Sequence, residues 1–252
     1  MATERDAASS GGTYAPLNTL KPVADNIWLV DGPAIRFGPG CFKMPFPSRM
    51  TVVRVGAADL FIHSPTALTP GLRAELSVLG RPRWLVGPNR LHYWWLPEWR
   101  RAYPDAEVHL APGIREHAGS HIDFSTTILN GADHHPWRDA LETLPITSRY
   151  MTEVVFFHRA SRTLILTDLI ENFEAEKLGR AGRWLTRLGG ARHPDGQMPR
   201  DMRLTFIGRR ADLKEALETL LGWNPERVIL AHGRWYARDG AAELRRAFRW
   251  LG

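Results

Sequence analysis

The stretch EVVFFHRASRTLILTD, residues 153–168, constrains the fold of this chain more than any other. Two runs rich in β-branched and aromatic residues flank the short polar segment HRASR, which is the pattern of an antiparallel hairpin. The second run ends on an aspartate, Asp168, where a strand as apolar as this one has to stop.

Around that hairpin the chain reads as further strands and helices. NIWLVDGPAIRF (26–37) is expected to form a strand pair or one long strand, and GPGCFKMPFP a loop. RMTVVRVGAADLFIHSP (49–65) divides into two β-type runs about GAAD. LTPGLRAELSVLG (68–80) carries helix signals, with Thr69 as cap, Pro70 in the first turn and Gly80 as stop. RWLVGP (83–88) is a short buried strand, followed by a loop and a helix ending before Pro104; EVHLAP (107–112) is another strand, and 113–140 mostly loop with short elements. A basic helical stretch is expected near 173–188, then a Gly/Pro-rich loop to about 200. Apolar residues at 213, 216, 217, 220 and 221 have helical spacing. RVILA and a last helix, GAAELRRAFRWL, close the chain. Strand pairs open each half and strand–helix units close each half. Two mixed sheets packed face to face with helices outside satisfy both patterns, so the fold class is α/β.

The 252 residues, 44% of them hydrophobic, suffice for one large core. The tail MATERDAASSGGTYAPLN is polar and rich in small residues, so residues 1–17 are expected to be disordered or loosely docked, with 18–252 forming a single domain. The one cysteine, Cys41, excludes an intrachain disulfide and a cysteine zinc cluster. Nothing resembles a signal peptide, and no run approaches the roughly 20 apolar residues that span a bilayer. A cytoplasmic protein with no membrane partner is therefore expected. A net charge of +6 invites a nucleic-acid reading. The arginines, however, are scattered over WRRAYP, GRAGRW, RDMRLTFIGRR and ELRRAFRW without a basic run or a recognition motif, so specific nucleic-acid binding is not expected.

Three polar residues share one kind of position, the end of an apolar strand or the turn beyond it: His92 after RWLVGP, Asp168 after RTLILT, and His232 in RVILAHG. Open sheets commonly place ligands on that edge. Two imidazoles and a carboxylate suit one zinc, iron or manganese ion. Each also has a plain structural reading: Asp168 as a helix cap, His92 packed among Tyr93, Trp94 and Trp95, His232 closing a loop.

The order of these elements resembles the metallo-β-lactamase superfamily over roughly residues 20–250. TLILTD looks like the superfamily's strand ending in a metal-bridging aspartate, and VILAHG like its terminal VLPGHG, whose histidine binds the second metal. More narrowly, RMTVVRV, LFIHSPT, GPNRLHYWWLPEWRRAYPDA and FFHRASRTLILTDL look like a branch known only as a domain of unknown function. The resemblance implies a four-layer αβ/βα sandwich with a metal site at the sheet edges. It also implies a loss, because GPNRLH stands where the superfamily has H-x-H-x-D-H. His92 matches the last histidine, while Leu91, Asn89 and Gly87 replace the other ligands. A further histidine is missing from PITSRYMT, where Ser148 or Arg149 stands. A two-metal site built in the superfamily's usual way is therefore not expected.

The resulting expectation is a metal-dependent hydrolase with one divalent ion on His92, Asp168 and His232, with Asp168 and His92 catalytic and a small molecule as substrate. Asn89 is expected to orient a ligand or bind the ion through its amide oxygen, and His134 or His135 in GADHHPW to lend a further ligand. The alternative expectation is a metal-free anion-binding or scaffold protein, with Arg149 placing a cation where an ion once sat. His63 is expected to be structural, His158 and Arg159 to be exposed in the hairpin turn, and at least one of Trp94, Trp95 and Trp99 to lie in the core.

Overall fold

The computed structural model describes residues 12–37, 44–131 and 135–252, so Cys41, His134 and residues 1–11 of the expected tail lie outside the described residues. Gly12 is docked, its N–H donating to the Lys177 carbonyl at 3.2 Å.

The first half builds a seven-stranded sheet. β1 (Lys21–Ala24) and β2 (Ile27–Asp31) pair antiparallel. β3 (Ile35–Phe37) and β4 (Met44–Phe46) leave the sheet and pair with each other. The run over 26–37 is therefore two strands in different sheets, and part of the expected loop is strand. β5 (Arg49–Val55) and β6 (Asp59–His63) form the hairpin about GAAD. From there the chain alternates helix and strand: α1 (Pro70–Leu79), β7 (Arg81–Gly87), α2 (Leu96–Ala102), β8 (Glu107–Leu110), the short α3 (Ile114–Ala118) and β9 (Thr127–Ile128). Helical crossovers make neighbouring strands parallel. The sheet order β1-β2-β5-β6-β7-β8-β9 is accordingly antiparallel up to β6 and parallel beyond it. α1 begins as its residues dictate: Thr69 Oγ1 accepts the Leu72 N–H, Pro70 opens the first turn, and Leu72 and Leu76 form the buried stripe.

The second half builds a four-stranded sheet from β10 (Leu141–Thr147), β11 (Thr152–His158) and β12 (Thr163–Ile165), which is followed by α4 (Arg180–Gly189), α5 (Arg200–Leu204) and α6 (Arg210–Gly222), then β13 (Arg227–Ile229) and α7 (Gly240–Ala247). β12 and β13 run parallel, Ile165 beside Ile229. The helix expected from 173 begins only at Arg180, because residues 171–173 are drawn into bridges with Gln197, Gly233 and Arg192.

Successive side chains of a strand point to opposite faces, and β11 shows why its run is apolar throughout. Val154 and Phe156 join the core of the first sheet with Val53, Phe61 and Trp137, whereas Val155 and Phe157 pack with Leu213 and Leu220 of α6 and Leu244 of α7. Both faces are covered, as a layered sandwich requires. His158 departs from expectation: it is buried, with Nδ1 at 2.8 Å from Ser161 Oγ, because the strand carries it into the layer before the turn begins. Of the tryptophans, Trp99 is fully buried and donates to the Thr66 carbonyl at 2.6 Å, Trp95 packs at the core edge, and Trp94 is half exposed. Among the described residues no helix is long and apolar enough to cross a membrane.

One charged group crosses between the sheets. Arg49 of β5 is 3% exposed, and its Nε and Nη2 lie 2.9 and 2.8 Å from Asp31 Oδ1. Its Nη1 donates to the carbonyls of Leu230 and Gly233, at 2.6 and 2.8 Å, just after β13. Removing one partner of a buried pair leaves the other charge uncompensated. Arg49→Ala is therefore expected to lower the unfolding free energy by about 3–5 kcal/mol in urea titrations. Arg49→Lys should restore only part of it, since an ammonium cannot reproduce the planar fork.

Candidate metal centre

β12 and β13 are parallel neighbours, so their C-terminal ends finish together, and the first sheet brings the end of β7 to the same edge. Three residues meet there. His92 Nε2 lies 3.3 Å from Asp168 Oδ2, and His232 Nε2 lies 3.1 Å from Asp168 Oδ1. One ligand-type atom from each of the three lies within 4.8 Å of the others. The two imidazole centroids are 5.2 Å apart. The loop after β7 is pinned to the second sheet, because the Pro88 carbonyl accepts the Val154 N–H at 2.8 Å.

Each of these side chains is held from behind. His232 Nδ1 is 2.8 Å from the Pro47 carbonyl. A carbonyl only accepts, so Nδ1 carries the hydrogen and Nε2 is left facing Asp168. His92 Nδ1 is 2.8 Å from Ser64 Oγ at the end of β6. Asn89 is fully buried, and its Nδ2 donates to Asp168 Oδ2 at 2.6 Å, Thr167 Oγ1 at 2.8 Å and Glu153 Oε2 at 3.2 Å. Its Oδ1 accepts the Leu91 N–H at 2.8 Å. The amide oxygen is thus committed to the backbone, which corrects the expectation that it reaches an ion; it is the amide nitrogen that bears on the site.

Glu153, read from sequence only as the start of a strand, braces the centre from below. Its Oε1 accepts the Thr167 N–H at 2.7 Å and its Oε2 the Asp168 N–H at 2.9 Å. A carboxylate opening an otherwise apolar run was the signal available for it. Gly233, following His232, has φ +88°, and a Cβ there would stand 2.1 Å from the Asn172 carbonyl oxygen. Only glycine allows this turn to close against that backbone.

The other expected residues lie elsewhere. Arg149 is exposed, its N–H on the Thr205 carbonyl and its guanidinium over Gly208. It places no cation in the centre, because the adjacent Ser148 turns the chain outward by accepting the Tyr150 and Met151 N–H groups. His135 is buried against Trp137, stacked at 5.0 Å, and does not join the three-residue group. His63 is buried among aromatic side chains, and burial, with His92 nearby, pushes its pKa down to about 3.

Burial opposes the charge on Asp168, but His92 and the hydrogen bonds from both imidazoles outweigh it and hold the carboxyl well below the usual range. Burial would lower His232, yet its hydrogen bond to Asp168 and that residue's charge raise it above the ordinary imidazole value. Burial and the Asp168 charge push Glu153 up to about 7, against its backbone donors. Glu171 is pushed up to about 8, chiefly by burial. A small cavity of about 10 Å³ adjoins the centre, lined by His92, His232, Ser64, Leu91, Trp94 and Trp95 among others. That is room for about one water molecule.

A family model for Domain of unknown function (DUF4336) matches residues 24–178. The chain belongs to this family. No curated protein matches the sequence of this DUF4336 chain. Among solved structures, DIM-1 metallo-β-lactamase is similar at a TM-score of 0.62 and 12% identity, over 96% of this chain and 99% of that one. A metallo-β-lactamase from Hirschia baltica is similar at 0.59 and 12% identity, over 89% and 94%. Rubredoxin oxygen:oxidoreductase from Desulfovibrio gigas is similar at 0.61 and 12% identity, over 92% of this chain but 61% of its own. The DUF4336 chain therefore has the metallo-β-lactamase fold.

The linkage between pKa and stability has a definite sign here. Asp168, held low when folded, contributes stability above its unfolded pKa and loses it on acidification; His232, held high, contributes below its unfolded pKa and loses it as the pH climbs through the folded one. In thermal melts with chelator, the gap between the wild-type protein and Asp168→Asn should be widest between roughly pH 5 and 6.5 and narrow on both sides.

Proposed function

We propose that His92, Asp168 and His232 hold one divalent transition ion, zinc, iron or manganese, and that this protein is a mononuclear metal-dependent hydrolase acting on a small molecule. The observation that carries this reading is the bond from His232 Nδ1 to the Pro47 carbonyl, which leaves Nε2 beside Asp168. Metal-ligating histidines characteristically donate their other ring N–H in this way. The three ligand atoms, one from each residue, lie within 4.8 Å of one another, close enough to gather about a single ion.

Fold alone leaves the reaction open, since two of the structural neighbours are metallo-β-lactamases and one an oxidoreductase. Hydrolysis is favoured by a ligand set that leaves a position open beside a water-sized cavity. A bound ion supplies a Lewis acid there, polarising an ester, amide or phosphoryl oxygen and lowering the pKa of water. Asp168, ionised at neutral pH, is the anionic ligand; Asn89 and Glu153 fix its direction, and Ser64 that of His92. The wall of Leu91, Trp94 and Trp95 has to part to admit a substrate.

The second reading is a metal-free protein that binds an anion or serves as a scaffold. It rests on Asn89, which stands in a histidine's place by resemblance and is bonded to Glu153. Elemental analysis of protein purified without chelator separates the two. About one equivalent of ion is expected, with affinity lowered at least about tenfold in His232→Ala and Asp168→Asn. Metal-free wild-type protein, unaltered in melting temperature by added zinc, iron or manganese, would establish the second reading instead.

A further inference from the structure

α4 is built inside out. Of its ten residues only Gly182 is buried. Trp184, Leu185 and Leu188 are 63%, 43% and 47% exposed. At 3.6 residues per turn these three share one arc with Ala181, while Arg180, Arg183 and Arg187 share the neighbouring arc. Gly182 and the half-buried Thr186 face the protein. A helix supporting a core turns its apolar stripe inward. α4 presents it to the outside.

At the C-terminal end of this helix lies a cavity of about 510 Å³, lined by Arg187, Arg192, His193, Arg200 and Arg249, with Asp195 its one acidic residue. Asp195 is already engaged by Arg246 at 3.0 Å and Arg249 at 3.8 Å. Two buried nitrogens in or near this lining have no hydrogen-bond partner among the described residues. His193 Nδ1 is buried in the lining, and Arg203 Nη2 is buried beside Gly190. Buried polar groups are normally satisfied, and a buried guanidinium nitrogen close to the four arginines of this lining is matched by an anionic acceptor. Segment 180–210 holds eight arginines against two aspartates, a surplus equal to the formal charge of the whole chain.

We propose that this face seats the protein on an anionic phospholipid surface. Trp184, Leu185 and Leu188 enter the interfacial layer, and the arginine cavity receives the phosphate of a lipid headgroup. An exposed apolar arc flanked by arginine, with a tryptophan among its residues, is the composition of a helix lying in a membrane interface. A second copy paired antiparallel about a two-fold is disfavoured as the occupant, because that pairing sets the arginine arcs side by side. The absence of a bilayer-spanning run, which suggested no membrane partner, concerns crossing and not lying along a surface. The inference is independent of the metal centre.

Cosedimentation of the full chain with vesicles tests it, using phosphatidylcholine alone or phosphatidylcholine mixed with phosphatidylglycerol. Binding is expected only to the anionic vesicles and should weaken with added salt. Trp184→Ser with Leu188→Ser, and separately Arg187→Ala with Arg192→Ala, should each weaken it at least about tenfold. Melting temperatures should stay unchanged, since all four side chains are exposed. Equal binding to both vesicle types, binding to neither, or wild-type binding by the apolar double variant overturns the proposal. So does a concentration-dependent dimer abolished by Trp184→Ser in protein that ignores vesicles. Saturable binding of inorganic phosphate without vesicle binding assigns the cavity to a soluble phosphorylated ligand, and the proposal likewise fails.

Discussion

The guanidinium of Arg49 holds the two halves of the molecule in register. It cannot shed its charge, so burying it between the sheets demands acceptors on every side. Asp31 supplies a carboxylate from the same sheet, and Leu230 and Gly233 supply carbonyls from the segment just after β13 of the second sheet. Those two carbonyls bracket His232. The imidazole is therefore positioned by a cation that never touches it, and the Pro47 carbonyl, two residues before Arg49, settles which ring nitrogen faces the cavity.

Asp168 is fixed by an analogous device of opposite sign. Glu153 takes the backbone N–H groups of Thr167 and Asp168, and Asn89 joins that carboxylate to the Asp168 side chain. Two buried carboxyl groups, Glu153 and Asp168, thus stand with two imidazoles at this edge, and the partly buried Glu171 feels the charges of Asp168 and His232. The raised values of Glu153 and Glu171 and the lowered one of Asp168 express that arrangement. Asp168 keeps its charge because it alone faces both rings. This rigidity suits a centre whose ligands must be aimed before anything binds.

Much of this was legible in the chain. The apolar runs of β11, β12 and β13 announced strands covered on both faces, and Thr69, Pro70 and Gly80 marked the ends of α1 through local backbone chemistry. Asp168 and His232 stood out because an ionisable residue at the tip of a buried strand needs a partner. Glu153 did not stand out, since its partners lie 14 to 64 residues away along the chain; Asn89 stood out only through the family resemblance, and its direction depends on partners up to 79 residues away. Arg149 misled because nearness to a lost ligand says nothing of direction; one serine turn sends it outward. His158 misled because a turn sequence does not say where the strand stops. The arginines of α4 mark a basic helix, and nothing local tells which of its arcs meets the protein.

The sequence by itself determined the layers. Periodicity and caps are properties of neighbouring residues, and so are the strand ends at which ligand-type side chains must appear. Tertiary structure alone decided that three of those ends converge, that Asn89 turns its nitrogen and not its oxygen to the centre, and that α4 carries its apolar arc outward. The reason is physical. Local backbone preferences act over a few residues, whereas the direction of a buried polar side chain is set by whichever distant acceptor or donor the packing of two sheets brings within 3 Å or so.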